Sequence, residues 1–245
     1  MTYLKSIALR EPPSPGSYLA KLPVVRHLAQ IERLDVDVPV TFFVGENGTG
    51  KSTLLEAVAV ALGFNPEGGT RNFRFRTRAT HSELCDLLRV ARSRSPRDGF
   101  FLRAESFYNV ASNIDEMDES PSFGGRVVDS YGGVSLHEMS HGESFFALVQ
   151  NRFGGDGLYL LDEPEAALSP ARQMALLAEM HRLVVANSQF VVATHSPILL
   201  AYPGARIYEL GETGIAETPY AETEHVQLTR RFLENPERML RYHFS

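Results

Sequence analysis

Hydrophobic positions along this chain follow two periods in turn, and together they predict an α/β protein. Val40-Thr41-Phe42-Phe43-Val44 is a short β-branched and aromatic run, the composition of a buried strand. Helical spacing follows it: Leu54, Leu55, Val58, Ala59 and Leu62 form one stripe, and Gly63 is placed to cap its C-terminus. Residues 157–161 are continuously apolar and end at Asp162, as in a central parallel strand covered on both faces. Ser169 and Pro170 then provide an N-cap and a first helical residue, for a helix running to about Ala186. Further strands are predicted at 190–194 and 206–210. Strand, helix, strand in that order calls for a parallel sheet with helices on its faces.

The rest of the chain is less regular. Residues 3–9 read as a short strand, 11–16 as a proline-rich loop, 99–102 as a strand and 140–152 as a helix. A helix is predicted from about 82 to 92. Residues 111–133 are polar, acidic, then rich in Gly and Ser, and read as a loop or mobile connection. The tail, 222–245, reads as helical and charged, with no role assigned. The expected organisation is a single domain over 1–245 with a helical, arginine-rich insertion at about 71–152.

The length of 245 residues, 43% of them hydrophobic, suffices for a large core without disulfides. The lone cysteine, Cys85, lies in an apolar helical pattern and reads as a small packing residue. A single cysteine excludes an intramolecular disulfide and fits a reducing compartment. No run reaches the roughly 18–20 apolar residues that cross a bilayer, and no basic-then-apolar leader opens the chain. A cytoplasmic address without membrane insertion is therefore expected. The net charge of −6 excludes a protein that coats nucleic acid with its whole surface, while leaving room for a local basic patch. Arg71, Arg74, Arg76, Arg78, Arg89, Arg92, Arg94, Arg97 and Arg103 are crowded together, with Phe73 and Phe75 alternating among the first of them. They are a nucleic-acid contact surface, or a solvated face, or are paired with Asp115, Glu116, Asp118 and Glu119, with room for one of them to face the nucleotide.

The chemistry is concentrated in three places. Gly45-Glu46-Asn47-Gly48-Thr49-Gly50-Lys51-Ser52 matches G-x-x-x-x-G-K-[ST] at every fixed position, between a predicted strand and a predicted helix. Glycines let the backbone curl so that N–H groups point at a phosphate, and the helix adds its positive end. Asn47, Gly48, Thr49, Gly50, Lys51, Ser52 and Thr53 are the expected nucleotide contacts. Lys51 reaches the β- and γ-phosphates, and the Ser52 hydroxyl ligates Mg²⁺. The strand at 157–161 delivers Asp162 and Glu163 to its C-terminal edge, where ligands bind in open α/β sheets. Asp162 would hold Mg²⁺ and Glu163 would act as general base on the attacking water. The strand at 190–194 likewise ends at His195, a hydrogen-bond donor for the γ-phosphate.

The order of these motifs resembles the ABC-type P-loop ATPases over residues 40–203. Gly45 to Ser52 is similar to their phosphate loop, Leu158 to Glu163 to their Mg²⁺ strand with its catalytic glutamate, and Thr194-His195-Ser196 to their switch histidine. Ala167-Leu168-Ser169-Pro170 is similar to the loop that follows, with Ser169 where the family has aspartate. Met139-Ser140-His141-Gly142-Glu143 stands where the signature L-S-G-G-Q is expected. Ser140 and Gly142 agree with it and would bind the γ-phosphate of a second subunit's ATP; the same residues also read as a plain N-cap with a capping box. No glutamine follows the strand before the signature, so Glu105 takes that metal-side place. Tyr18 is the tyrosine spaced to stack on adenine.

The resemblance implies an α/β P-loop NTPase three-layer sandwich with a mainly parallel central sheet, an antiparallel portion near the N-terminus and a small helical insertion. It also implies ATP and Mg²⁺ as cofactors and an ATP-dependent homodimer closing head to tail. Gly-Glu-Asn-Gly-Thr-Gly-Lys-Ser, Asp-Glu-Pro-Glu and Thr-His-Ser-Pro look closest to stand-alone, SMC-like and recombination-repair members and to small bacterial AAA-family ATPases, without a coiled-coil arm. DNA repair, recombination or defence is the implied setting, with nucleic acid or another protein as partner. A transporter's ATP-binding subunit and a non-hydrolysing regulatory module are the alternatives.

Overall fold

The computed structural model describes residues 2–71, 83–119 and 126–244. Its elements, in chain order, are β1 (Leu4–Leu9), α1 (Pro23–Leu28), β2 (Leu34–Asp35), β3 (Val40–Val44), α2 (Lys51–Ala61), α3 (Leu84–Leu87), β4 (Leu88–Arg92) and β5 (Asp98–Arg103). They continue with α4 (Phe107–Glu119), α5 (His141–Arg152), β6 (Gly157–Asp162), α6 (Pro170–Val185), β7 (Gln189–Ala193), α7 (Pro197–Leu200), β8 (Arg206–Gly211), β9 (Gly214–Glu217), α8 (Glu224–Glu234) and α9 (Pro236–Phe244).

Six strands form the central sheet in the order β5-β6-β7-β3-β8-β9. All neighbours run parallel except the β8–β9 hairpin. Every residue of β3, β6 and β7 is buried, which is why these strands lack alternation in sequence. The pleat sends their side chains alternately to two cores. Phe42 and Val192 join a cluster with Phe145, Leu176 and Ile114; Phe43 and Val191 join another with Leu54, Leu55 and Val58 of α2. Helices therefore cover both faces, and the three-layer sandwich is present.

A second, antiparallel sheet has the order β2-β1-β4. One of its links to the central sheet is the amide of Gln189, which is fully buried. Gln189 Oε1 accepts the N–H groups of Tyr3 and Leu4, both at 2.8 Å, and its Nε2 donates to Leu4 O at 3.0 Å and Val36 O at 2.7 Å. Gln189→Leu strips those backbone groups of their partner in a dry interior. It is expected to lower stability by about 3 kcal/mol, read from chemical denaturation at unchanged m-value.

Two expectations are corrected. The helix predicted over 82–92 is the single turn α3 followed by strand β4, which pairs antiparallel with β1 through Leu9↔Leu88, Ile7↔Val90 and Leu4↔Arg92. The open edge of β1 satisfies those backbone groups and overrides the local helical spacing. The loop predicted over 111–133 holds most of α4, and a 3-10 turn at Val127–Tyr131. The apolar face of α4 begins before the polar tract: Phe107, Val110, Ala111 and Ile114 are buried at helical spacing. The alternation of Phe73 and Phe75 with arginines lies outside the described residues. No helix among the described residues is long and apolar enough to cross a membrane.

Candidate nucleotide-binding site

Parallel registers level the C-terminal ends of four strands. Phe43 and Asp162 both stand opposite Ala193, and Arg103 stands opposite Asp162. Residues far apart in sequence thereby meet at one sheet edge, the ligand-binding edge of such folds.

The loop from β3 to α2 curls as its motif requires. Gly50, the residue before α2, has φ 96, and a Cβ there would lie 2.5 Å from Val24 Cγ1; neither its backbone nor its surroundings admit a side chain. Lys51 is 4% exposed, and its Nζ donates to Gly45 O at 2.8 Å and Glu46 O at 3.1 Å. The ammonium thus holds the loop's curl. Burial pushes its pKa down, opposed by the charges of Glu163, Asp162, Glu46 and Glu165. Thr49 Oγ1 donates to Glu46 O at 2.9 Å. Asn47 and Gly48 are exposed at the rim, and Ser52 and Thr53 are half-buried in the first turn of α2. A cleft of about 770 Å³ opens beside the loop, bounded by Pro23, Asn47, Leu210, Ile215 and Glu224, with room for the rest of a nucleotide.

Asp162 is 5% exposed and hydrogen-bonded by the Ser52 side chain. Its Oδ2 lies 3.5 Å from Arg103 Nε, while Oδ1 is buried without a hydrogen-bond partner among the described residues. A serine hydroxyl beside a buried carboxylate with an unspent oxygen fits Mg²⁺, which takes one or two protein oxygens and completes its shell with phosphate and water. Among the described residues no group of three or more His, Cys, Asp or Glu is placed to hold a metal ion.

Burial pushes the Asp162 pKa up to about 6, with Glu163 and Glu105 adding to the rise and Arg103 and Ser52 opposing it. An unfolded aspartate titrates near 3.9. The native state therefore holds its proton to higher pH, and stability falls as pH rises from about 4 to about 6, by roughly 3 kcal/mol in all, then stays level. Asp162→Asn is expected to raise the melting temperature of the nucleotide-free protein at pH 8 and leave it unchanged near pH 4, as thermal melts at the two pH values will show. Arg103 keeps a partner in that variant, because its Nη1 donates to Glu56 Oε2 at 2.7 Å.

Glu163 follows at once with φ 49 and ψ 50, a left-handed conformation that costs a non-glycine residue roughly 1–2 kcal/mol. Its N–H donates to Ala193 O at 2.9 Å, so the turn is pinned to β7. Glu163 Oε1 lies 3.5 Å from His195 Nε2. The His195 backbone N–H donates to Glu165 Oε1, and its Nδ1 is 3.1 Å from His225 Nε2. Burial, then the charge of Lys51, holds the His195 imidazole below its ordinary pKa, with Glu163 opposing; it is neutral at neutral pH. Burial raises the pKa of Glu165.

The structure thus brings together Lys51, Ser52, Asp162, Glu163 and His195. Glu105 does not join them closely: its side chain is 84% exposed, 3.7 Å from Arg103 Nη2, and Arg103 is the side chain from this strand end that faces Asp162. Ser140 and Gly142 form a separate cluster at the start of α5. Ser140 is the N-cap of a capping box, its N–H bonded to Glu143 Oε2 at 3.2 Å. A Cβ on Gly142 would lie 2.7 Å from Ala167 O, and Arg172 Nη1 donates to Gly142 O at 2.5 Å. The signature-like turn therefore packs on the Ala167-Leu168-Ser169 loop that follows Glu163. Tyr18 is exposed on a 3-10 turn.

The arginines are paired otherwise than expected. Arg94 stacks over Tyr3 and faces Asp156 at 3.7 Å, Arg71 lies over Phe64, and Arg103 serves the site. Arg89, Arg92 and Arg97 remain exposed, and 74, 76 and 78 lie outside the described residues. Asp118 and Asp115, expected to pair with arginines, instead accept Val128 N at 2.9 Å and Ser135 Oγ at 2.6 Å. Sequence reading allowed one arginine of this tract to face the nucleotide without singling out Arg103, and missed that Glu165 and His225 stand beside His195. Glu165 carried a signal as the second glutamate of Asp-Glu-Pro-Glu; His225, in the tail, carried none.

The parallel sheet and the phosphate loop are those of a P-loop NTPase fold. A family profile described as "AAA domain, putative AbiEii toxin, Type IV TA system" matches residues 70–201, more than half of the chain, and the chain belongs to that family. A second profile, described as an AAA domain, matches residues 25–97, which include the phosphate loop. No curated protein matches the sequence. Among solved structures, the ATP-binding cassette of an ABC transporter is similar over 96% of this chain and 98% of its own, at 14% identity and a TM-score of 0.54. The structure titled "An inward-facing conformation of a putative metal-chelate type ABC transporter" is similar over 94% of this chain and 88% of its own, at 15% identity and a TM-score of 0.52. These likenesses are of fold.

Proposed function

We propose that the protein hydrolyses ATP with Mg²⁺ and uses the cycle to close and reopen a head-to-tail homodimer. The observation that carries this reading is the meeting of Lys51, Asp162, Glu163 and His195 at one sheet edge. Lys51 leaves its two loop carbonyls for the β- and γ-phosphate oxygens, a stronger, charge-assisted pair of bonds. Glu163 takes a proton from the attacking water as its oxygen bonds to the γ-phosphorus and the bond to ADP breaks. His195, neutral and 3.5 Å from Glu163, donates from Nε2 to the γ-phosphate. Ser52 and Asp162 would hold Mg²⁺, which would supply positive charge against the developing negative charge.

Dimer closure is supported by the packing of Ser140 and Gly142 against the loop after Glu163. That cluster would present a helix N-terminus to a partner's γ-phosphate and report hydrolysis back to its own site. ATP rather than GTP follows from the family and from the absence of an N/T-K-x-D motif in the sequence. Nucleic-acid maintenance or defence is the setting we favour for the switch, with the exposed Arg89 and Arg92 of β4 and Arg97 before β5 as contacts; DNA binding that weakens steeply with salt would support it.

The core reading is tested by phosphate release. Purified protein with ATP and Mg²⁺ is expected to release phosphate continuously, and EDTA to stop it. Absence of phosphate release sinks the hydrolytic reading, and absence of calorimetric Mg-ATP binding as well removes the nucleotide from the proposal.

A further inference from the structure

The C-terminal tail reaches the site through one side chain. His225 lies in the first turn of α8, and its neighbours anchor it. Thr223, the N-cap, is fully buried with Oγ1 donating to Tyr220 O at 2.9 Å, and Val226 packs into the core. Between these anchors His225 Nε2 lies 3.1 Å from His195 Nδ1, with the ring centroids 5.2 Å apart. His225 Nδ1 is buried and has no hydrogen-bond partner among the described residues.

We infer that His225 is a positioning residue for hydrolysis: its Nε2–H donates to His195 Nδ1 and so sets His195 in the tautomer that carries its proton on Nε2. This rests on the ATPase reading above. Two imidazole nitrogens 3.1 Å apart share a single proton. Were it on His195 Nδ1, the bare Nε2 of His195 would face the Glu163 carboxylate at 3.5 Å, acceptor against acceptor. The opposite arrangement points an N–H at Glu163 and at the space where the γ-phosphate lies. A second group that fixes the tautomer of a working imidazole is worth having because the wrong tautomer offers the reaction a lone pair in place of a donor. The tail, charged and otherwise peripheral, thereby becomes part of the catalytic edge.

Long-range ¹H–¹⁵N correlation spectra of the full chain read this tautomer directly and need no nucleotide. Wild type is expected to show His195 protonated on Nε2 and bare on Nδ1. His225→Leu is expected to give a mixture of tautomers, and His225→Gln, whose amide N–H reaches the Nε2 position, to restore the wild-type pattern. In turnover His225→Leu is expected to lower kcat about 10–100-fold with KM for ATP unchanged, and His225→Gln to recover most of it. The opposite tautomer in wild type overturns the inference. So does a Leu variant with unaltered spectrum and kcat, or a folded Gln variant as impaired as Leu. If His225→Leu does not fold, the wild-type spectrum and the Gln variant decide. A protein without ATPase activity refutes the function proposed above, and the spectrum still judges His225.

Discussion

Glu163→Gln is expected to stop turnover and leave ATP in place. On the function proposed above, the carboxylate takes the proton from water: among the described residues at this edge, Asp162 is hydrogen-bonded by Ser52 and Glu165 accepts the His195 backbone N–H. The amide keeps the size and the left-handed turn, so binding persists while general-base help is lost. That help is worth about 10²–10⁴-fold in kcat. If dimer closure is driven by γ-phosphate contacts, blocking hydrolysis holds the closed state. Size-exclusion with light scattering should then show a dimer with ATP and Mg²⁺ and a monomer without them. A variant that stays monomeric with bound ATP defeats the head-to-tail switch and leaves ATP binding intact.

Lys51→Ala is expected to fail one step earlier, at binding. In the structure the ammonium is nearly dry, spending its protons on Gly45 O and Glu46 O. Two charge-assisted bonds to phosphate oxygens contribute roughly 1.5–3 kcal/mol each. Their removal should weaken Mg-ATP affinity by about 10²–10³-fold or more, measured by calorimetry. Neither hydrolysis nor ATP-dependent dimerisation should remain. The two variants separate the functions: one binds without turning over, the other does neither. Retention of wild-type affinity in Lys51→Ala would remove the phosphate loop from the account.

The parts legible in the sequence are those whose information is local. The phosphate loop needs a strand, a glycine-rich curl and a helix within one stretch, so Gly45 to Ser52 announced both their own conformation and their ligand. Residues 157–162 were legible for the same reason: a continuous apolar run has few places to go except the middle of a sheet, and its end then falls at the ligand edge. Where one face of an element was hidden by its neighbours, reading failed. The helix α4 looked like loop because its exposed face is acidic, and β4 looked helical because the strand that completes it, β1, lies about 80 residues earlier.

By itself, then, the chain's order of residues determined the curl of the phosphate loop and which side chains stand at the strand ends, since backbone curl and strand ends are set by neighbours in sequence. Only the tertiary structure decided which groups surround them. Parallel register levels Arg103, Asp162 and Ala193 at one edge, putting an arginine where Glu105 was expected and leaving the glutamate in solvent. Packing of α8 brings His225 against His195 across 30 positions of chain. Such meetings depend on how whole layers stack, and burial of the layers' apolar faces, rather than any local motif, is the force that fixes them.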